Sequence, residues 1–172
     1  ERGIIMAQEI IVNGVLTKYI PDDNQTSATI SDQVTSIGPG AFYGCRNLET
    51  INLPEGITRI GVSAFQGCIK LAKINLPDSI TSIGSDAFNC CERLTKINLP
   101  MRLTSLSDGI LERCRELSEV TFPEGLTSIG TRVLFKCGSL DNVTLPEGIT
   151  SIRDGAFERC GTSTLTVPAA FD

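Results

Sequence analysis

Six cysteines, Cys45, Cys68, Cys91, Cys114, Cys137 and Cys160, follow one another at intervals of 23 residues. No other feature constrains the chain as strongly, because a fixed period of this length builds a stacked array rather than one globular core. Aligned on the cysteines, further columns come into register. An extended stretch ends at Ile37-Gly38, Ile60-Gly61, Ile83-Gly84, Leu106-Ser107, Ile129-Gly130 and Ile152-Arg153. Ala-Phe recurs at Ala41-Phe42, Ala64-Phe65, Ala87-Phe88 and Ala156-Phe157, with Ile110-Leu111 and Val133-Leu134 standing in. Leu48, Leu71, Leu94, Leu117 and Leu140 each lie three residues after a cysteine. Ile51-x-Leu53-Pro54, Ile74-x-Leu76-Pro77, Ile97-x-Leu99-Pro100, Val120-x-Phe122-Pro123 and Val143-x-Leu145-Pro146 follow, and Leu165-x-Val167-Pro168 closes the series one residue early.

A unit of 23 residues cannot bury a core alone, but copies stacked on one another bury a continuous one. The expected fold is therefore a repeat solenoid of about six coils. The alternating Leu-x-x-Ile-x-Leu-Pro stretch predicts a short strand, closed by a proline that cannot donate to a ladder. Ile-Thr-x-Ile-Gly predicts a second extended wall opposite. Ala-Phe-x-x-Cys-x-x-Leu has helical spacing over only about two turns, which predicts a 3₁₀ or irregular turn. Neighbouring coils then pair as parallel strands about 4.8 Å apart, giving a rod or arc roughly 30 Å long.

The unit, best seen in the segment "LTKINLPDSITSIGSDAFNCC", resembles the leucine-rich repeat of the BspA-like class of bacterial and protozoan surface proteins. The entry segment 13–19 and "ISDQVTSIG" look like the opening of that domain, and the resemblance covers roughly residues 10–168. Leu111, Leu134 and Ser107 depart from the pattern but leave the fold expectation intact. The resemblance implies a cell-surface or secreted module that adheres to proteins or glycans through the strand face of the solenoid. No signal-peptide pattern is visible to support an address.

Terminal coils need protection. Asn13-Gly14 between two apolar extended runs predicts a β-hairpin cap, since both residues tolerate positive φ. The expected organisation is an N-terminus over 1–9 that is flexible or left from expression, with Met6 as a candidate natural start. A cap and degenerate first coil over 10–30, a solenoid over 31–168 and a short end over 169–172 follow. Residues 21–27 read as a polar loop. The C-terminus shows no comparable cap, which leaves two expectations: a chain cut from a longer protein, or an edge that pairs with another chain.

Composition enters by exclusion. Histidine is absent, which removes the Ser-His-Asp and Cys-His nucleophiles and any His-ligated metal. Net charge is −5, so no basic footprint for nucleic acid is present. No run of about eighteen apolar residues suits membrane insertion. No paired carboxylates or clustered glycines suggest glycosidase or phosphate chemistry. No catalytic residue, metal or cofactor is expected. The six periodic cysteines read as a buried ladder of small apolar side chains; disulfides or a metal site are the alternatives, disfavoured by in-register geometry and by spacing. Cys90, in the column of Gly44 and Gly67, is the odd thiol.

Alternation turns Ile51 and Leu53 inward and sends their neighbours out. One outward column runs Thr29, Asn52, Asn75, Asn98, Thr121, Thr144 and Thr166. Stacked amides and hydroxyls there predict hydrogen bonds along the rod, with partner recognition as the other reading. A second column, Ser27, Thr50, Lys73, Lys96, Glu119 and Asn142, changes from copy to copy, as a recognition face does and as a relaxed one also does. The candidate contact residues are Thr50, Asn52, Lys73, Asn75, Lys96, Asn98, Glu119 and Thr121. The Thr35, Thr58, Thr81, Thr104, Thr127 and Thr150 column is expected to be half-exposed wall, and Arg46, Lys70, Arg93, Arg115 and Glu116 a solvated face. Two roles fit: a protein- or glycan-binding module, or a structural spacer that pairs through its terminal edge.

Overall fold

The computed structural model describes residues 7–171. In chain order its strands are β1 (Gln8–Val12), β2 (Val15–Ile20), β3 (Ser27–Thr29), β4 (Ser36–Ile37), β5 (Thr50–Asn52), β6 (Arg59–Ile60), β7 (Lys73–Ile74), β8 (Ser82–Ile83), β9 (Lys96–Asn98), β10 (Ser105–Leu106), β11 (Glu119–Thr121), β12 (Ser128–Ile129), β13 (Asn142–Thr144), β14 (Ser151–Ile152) and β15 (Thr164–Thr166). They wind a parallel β-solenoid of about seven turns with the 23-residue spacing of the sequence. The odd strands from β3 onward line one wall, and the even strands from β2 onward line the other. Pairing joins equivalent positions of successive coils, as in Ile51 with Ile74 and Ile37 with Ile60. A single 3₁₀ turn, Ala169–Phe171, follows the last strand.

Between the walls runs a turn arm whose backbone bonding alternates. Cys45 N donates to Phe42 O in its own coil (3.0 Å), whereas Phe42 N donates to Ala64 O in the next (2.7 Å). The alternation needs two left-handed residues in every coil. Glycine supplies them at Gly40, Gly44, Gly67, Gly109 and Gly155; Ser63, Asp86, Cys90, Arg113, Arg132, Lys136 and Arg159 supply the rest, with φ between 56° and 61°. Each side chain in that conformation costs roughly 1 kcal/mol, which the surrounding ladder offsets.

The core lies between the walls and the arm, and equivalent residues stack through it. Tyr19, Phe42, Phe65 and Phe88 form a column of rings with centroids 4.9, 5.0 and 5.1 Å apart, continued by buried Leu111 and Leu134. Beside it runs the cysteine column. Five of its six thiols donate to a carbonyl of the preceding coil: Cys68 to Phe42 (3.2 Å), Cys91 to Phe65 (3.3 Å), Cys114 to Phe88 (3.3 Å), Cys137 to Leu111 (3.1 Å) and Cys160 to Leu134 (2.9 Å). All seven cysteines are free thiols.

Asn13 (φ 50°) and Gly14 (φ 78°) turn the antiparallel hairpin β1–β2. Its second strand does more than cover the first coil. β2 pairs in parallel with β4, and Tyr19 N donates to Ala41 O (2.8 Å), so the hairpin supplies a coil of its own. Gln8 and Glu9, expected within a flexible N-terminus, pair with Ile20 and Tyr19. Met6 lies outside the described residues.

The ladders are interrupted at defined places. On the second wall β8 and β10 do not pair. Here Ser107 replaces the recurrent glycine and its hydroxyl donates to Ile83 O (2.8 Å), the carbonyl that a backbone N–H takes elsewhere in this column. Arg153 in the same column keeps its backbone bond to Ile129 O (3.0 Å), so capture of the carbonyl by the hydroxyl opens the ladder, not the added Cβ. Glycine is nevertheless the best fit: a Cβ on Gly84 would collide with the backbone nitrogen of Val62. On the first wall, β7 and β9 are unpaired, as are β11 and β13.

Candidate binding face

On the first wall Ile51, Ile74 and Ile97 point into the core, and the residues between them face solvent. Asn52, Lys73, Asn75, Lys96, Asn98, Glu119 and Thr121 are exposed and Thr50 is half-buried, so all eight candidate residues lie on one face. β7 and β9 separate at its centre. Ala72, Lys73, Ile74, Asn75, Thr95, Lys96 and Asn98 line a depression there of about 360 Å³. A second, more polar depression of about 320 Å³ lies between β5 and β7, and Asn75 borders both.

The hydrogen bonds of this face are few. Asn52 Nδ2 donates to Thr29 Oγ1 (3.3 Å), and Thr50 Oγ1 to Ser27 Oγ (2.9 Å). Among the described residues no other step of the Asn/Thr column is bonded side chain to side chain, which corrects the expectation of a continuous polar ladder. The separation of β7 from β9 breaks the register at Asn75 and Asn98, and exposed amides have water as a competing partner. The ladder that does bond is the threonine column of the second wall. Thr58, Thr81, Thr127 and Thr150 each donate Oγ1–H to the carbonyl of the threonine one coil earlier, at 3.0–3.4 Å. Its sequence signal was a β-branched hydroxyl recurring without exception on an extended stretch. Lys96 Nζ meets Glu119 Oε2 at 3.0 Å, an exposed pair worth little to stability.

The thiols are placed away from this face. Burial pushes the Cys137 thiol up to about 12 and raises Cys91 and Cys114 well above the ordinary thiol value. These groups are protonated, inert as nucleophiles and already satisfied as donors. Cys90 is half-buried, and its thiol donates to Asn89 Oδ1 (3.1 Å). No cluster of three metal-ligating side chains occurs among the described residues.

A family model, the BspA type leucine rich repeat region, matches residues 19–137 and 58–172 in six copies. The chain belongs to the BspA-type leucine-rich repeat family. Solved bacterial leucine-rich repeat structures share its fold. A leucine-rich repeat protein of T. pallidum is 30% identical with a TM-score of 0.86, covering 95% of this chain and 80% of that one. One from Bacteroides ovatus is 31% identical with a TM-score of 0.80, covering 84% of this chain and 38% of that one. A leucine rich cell surface protein of Faecalibacterium prausnitzii is 26% identical with a TM-score of 0.74, covering 96% and 54%. The chain thus spans most of the first relative and about half or less of the other two. No curated protein sequence matches it. BspA-type leucine-rich repeat proteins are binding or adhesion-type repeat proteins, generally non-enzymatic and often surface-associated. No helix among the described residues is long and apolar enough to cross a membrane.

Proposed function

We propose that this BspA-type chain is a non-catalytic adhesion module that holds a protein or glycan partner on its first wall, around the depression between β7 and β9. One observation carries the reading. At that point the wall presents Lys73, Asn75, Lys96 and Asn98 on solvent around an apolar floor at Ile74 and Ala72, and neither asparagine is bonded to another side chain. A few convergent polar groups over an apolar base is the composition of a recognition site. The residues are held by rigid stacked coils, so a partner meets them preorganised. Surface attachment follows from the same reading and from the cell-surface relative.

The test is a partner screen with the native chain and the Lys73→Glu/Lys96→Glu variant, using extracellular-matrix proteins and a glycan array. The variant keeps its circular dichroism spectrum and thermal midpoint and loses binding about tenfold or more. Unchanged binding of an identified partner removes this face as the site.

A second reading has its own observation. Leu165 is 40% exposed and Phe171 38%, whereas Ile51, Ile97 and Val143 in the column of Leu165 are buried. Among the described residues β15 pairs only with β13, and its outer edge lies beside apolar surface, the arrangement that recruits another strand from a second copy. Sedimentation of the native chain and of Leu165→Lys decides: a dimer that the substitution dissolves supports edge assembly, and a monomer at high concentration removes it.

A further inference from the structure

Four cations gather on the turn arm of the last three coils. Arg113, Lys136 and Arg159 occupy one column at equivalent positions of successive coils, and Arg132 stands in the neighbouring column. All four hold the left-handed conformation, with φ of 61°, 59°, 58° and 56°. Coils one and two fill the column of Arg113 with Gly44 and Gly67, which take this conformation without strain. Arg113 N donates to Phe135 O (2.7 Å) and Lys136 N to Glu158 O (3.0 Å), so the coils are laced together where the charges stand. The three like charges therefore rise from backbones about 4.8 Å apart and repel one another. The left-handed backbone is common to every coil, but the stacked like charges oppose folding, and their placement in one row points to a use outside folding.

The surroundings neutralise the charge only in part. Glu112 takes Arg132 at 2.9 Å and Arg113 at 3.6 Å, and Glu158 takes Arg159 at 3.8 Å. Lys136 has no carboxylate within ion-pair distance among the described residues. Four cations against two carboxylates make a positive stripe on a chain of net charge −5. Phe135, 7% exposed, anchors it: Arg132 Cζ lies 4.0 Å from the ring centroid, Lys136 Nζ 5.3 Å and Arg159 Cζ 6.0 Å. These contacts gather the cations around one buried ring.

We infer that this column is a binding site for a sulfated polysaccharide, whose successive sulfates lie along Arg113, Lys136 and Arg159. One cation per coil in a row suits a polymer with repeating charges; a single phosphate would call for donors converging on one point. The aromatic ring is covered by Arg132, so it offers no face on which nucleobases could stack. The column stands on the turn arm rather than the strand wall, and the inference is independent of the strand-face reading.

The test uses calorimetric titration of the native chain with a heparin octasaccharide at low and at physiological ionic strength. The comparison variant is Arg113→Gly/Lys136→Gly/Arg159→Gly, which installs the residue that coils one and two already carry and relieves the strain. Heparin affinity is expected to fall about tenfold or more. The slope of log affinity against log salt is expected to shrink by about three. The thermal midpoint should hold or rise. Lys136→Gln, which removes one charge and keeps most of the side chain's length, should give a smaller loss in the same direction. Native affinity for heparin that the glycine variant retains would overturn the assignment, as would no native affinity at low salt. Equal affinity for duplex DNA, or for desulfated heparin, also overturns it. Loss of heparin binding in Lys73→Glu/Lys96→Glu but not in the glycine variant moves the site to the strand wall and overturns it too.

Discussion

The thiol of Cys114 donates to the carbonyl of Phe88 in the coil before it, at 3.3 Å, inside the buried core. The same step recurs along the solenoid, so the cysteine column acts as a hydrogen-bonded seam between coils and not as a reactive array. A buried thiol is tolerated only while neutral, and its folded pKa stands above its unfolded one.

The sign of the pH dependence follows. The protonated seam contributes fully below the unfolded thiol value of about 8.5, and that contribution is lost as pH rises toward the folded value. For Cys137 the folded value is about 12. Stability should therefore fall between about pH 9 and 12, by about 1.4 kcal/mol per pH unit for each such thiol. Urea titrations across this range check it, and Cys137→Ala should flatten the decline by one thiol's share.

The ring column predicts a second effect. Phe65 is fully buried between Phe42 and Phe88, with centroids 5.0 and 5.1 Å away. Phe65→Ala should cost about 3–5 kcal/mol in chemical denaturation. Phe65→Leu should cost about 1 kcal/mol, since coils four and five already use Leu111 and Leu134 in this column.

The open step at Ser107 is testable by hydrogen exchange. In Ser107→Gly the Ile83 carbonyl is freed from the hydroxyl and becomes available to the backbone N–H of position 107. That amide should gain protection of about tenfold or more over its value in the native chain. Unchanged exchange would mean that another contact holds β8 and β10 apart.

Much of this was legible because the repeat writes the same physics six times. The Phe42, Phe65 and Phe88 column, the cysteine column and both walls follow from a single alignment. The sequence misled where one column had two physical readings. Asn52, Asn75 and Asn98 looked like a bonded amide ladder, yet only Asn52 finds a side-chain partner, in Thr29. The bonded ladder belongs to Thr58 and its equivalents. Both columns show an unbroken polar run; which one bonds depends on where each hydroxyl or amide stands against the carbonyl one coil away. Tyr19, whose position is one period before Phe42, carried a signal that the hairpin motif hid.

The 23-residue period by itself determined that this chain is a stacked solenoid, since no shorter unit of it can bury a core. It also determined which side chains face inward, through the alternation of its strands. Only the tertiary structure decided where the walls open, at β7 with β9 and at β8 with β10, and that Arg113, Lys136 and Arg159 stand in left-handed turns around Phe135. Those outcomes depend on competition between neighbouring coils for the same carbonyls and the same space, and a pattern within one coil carries no record of it.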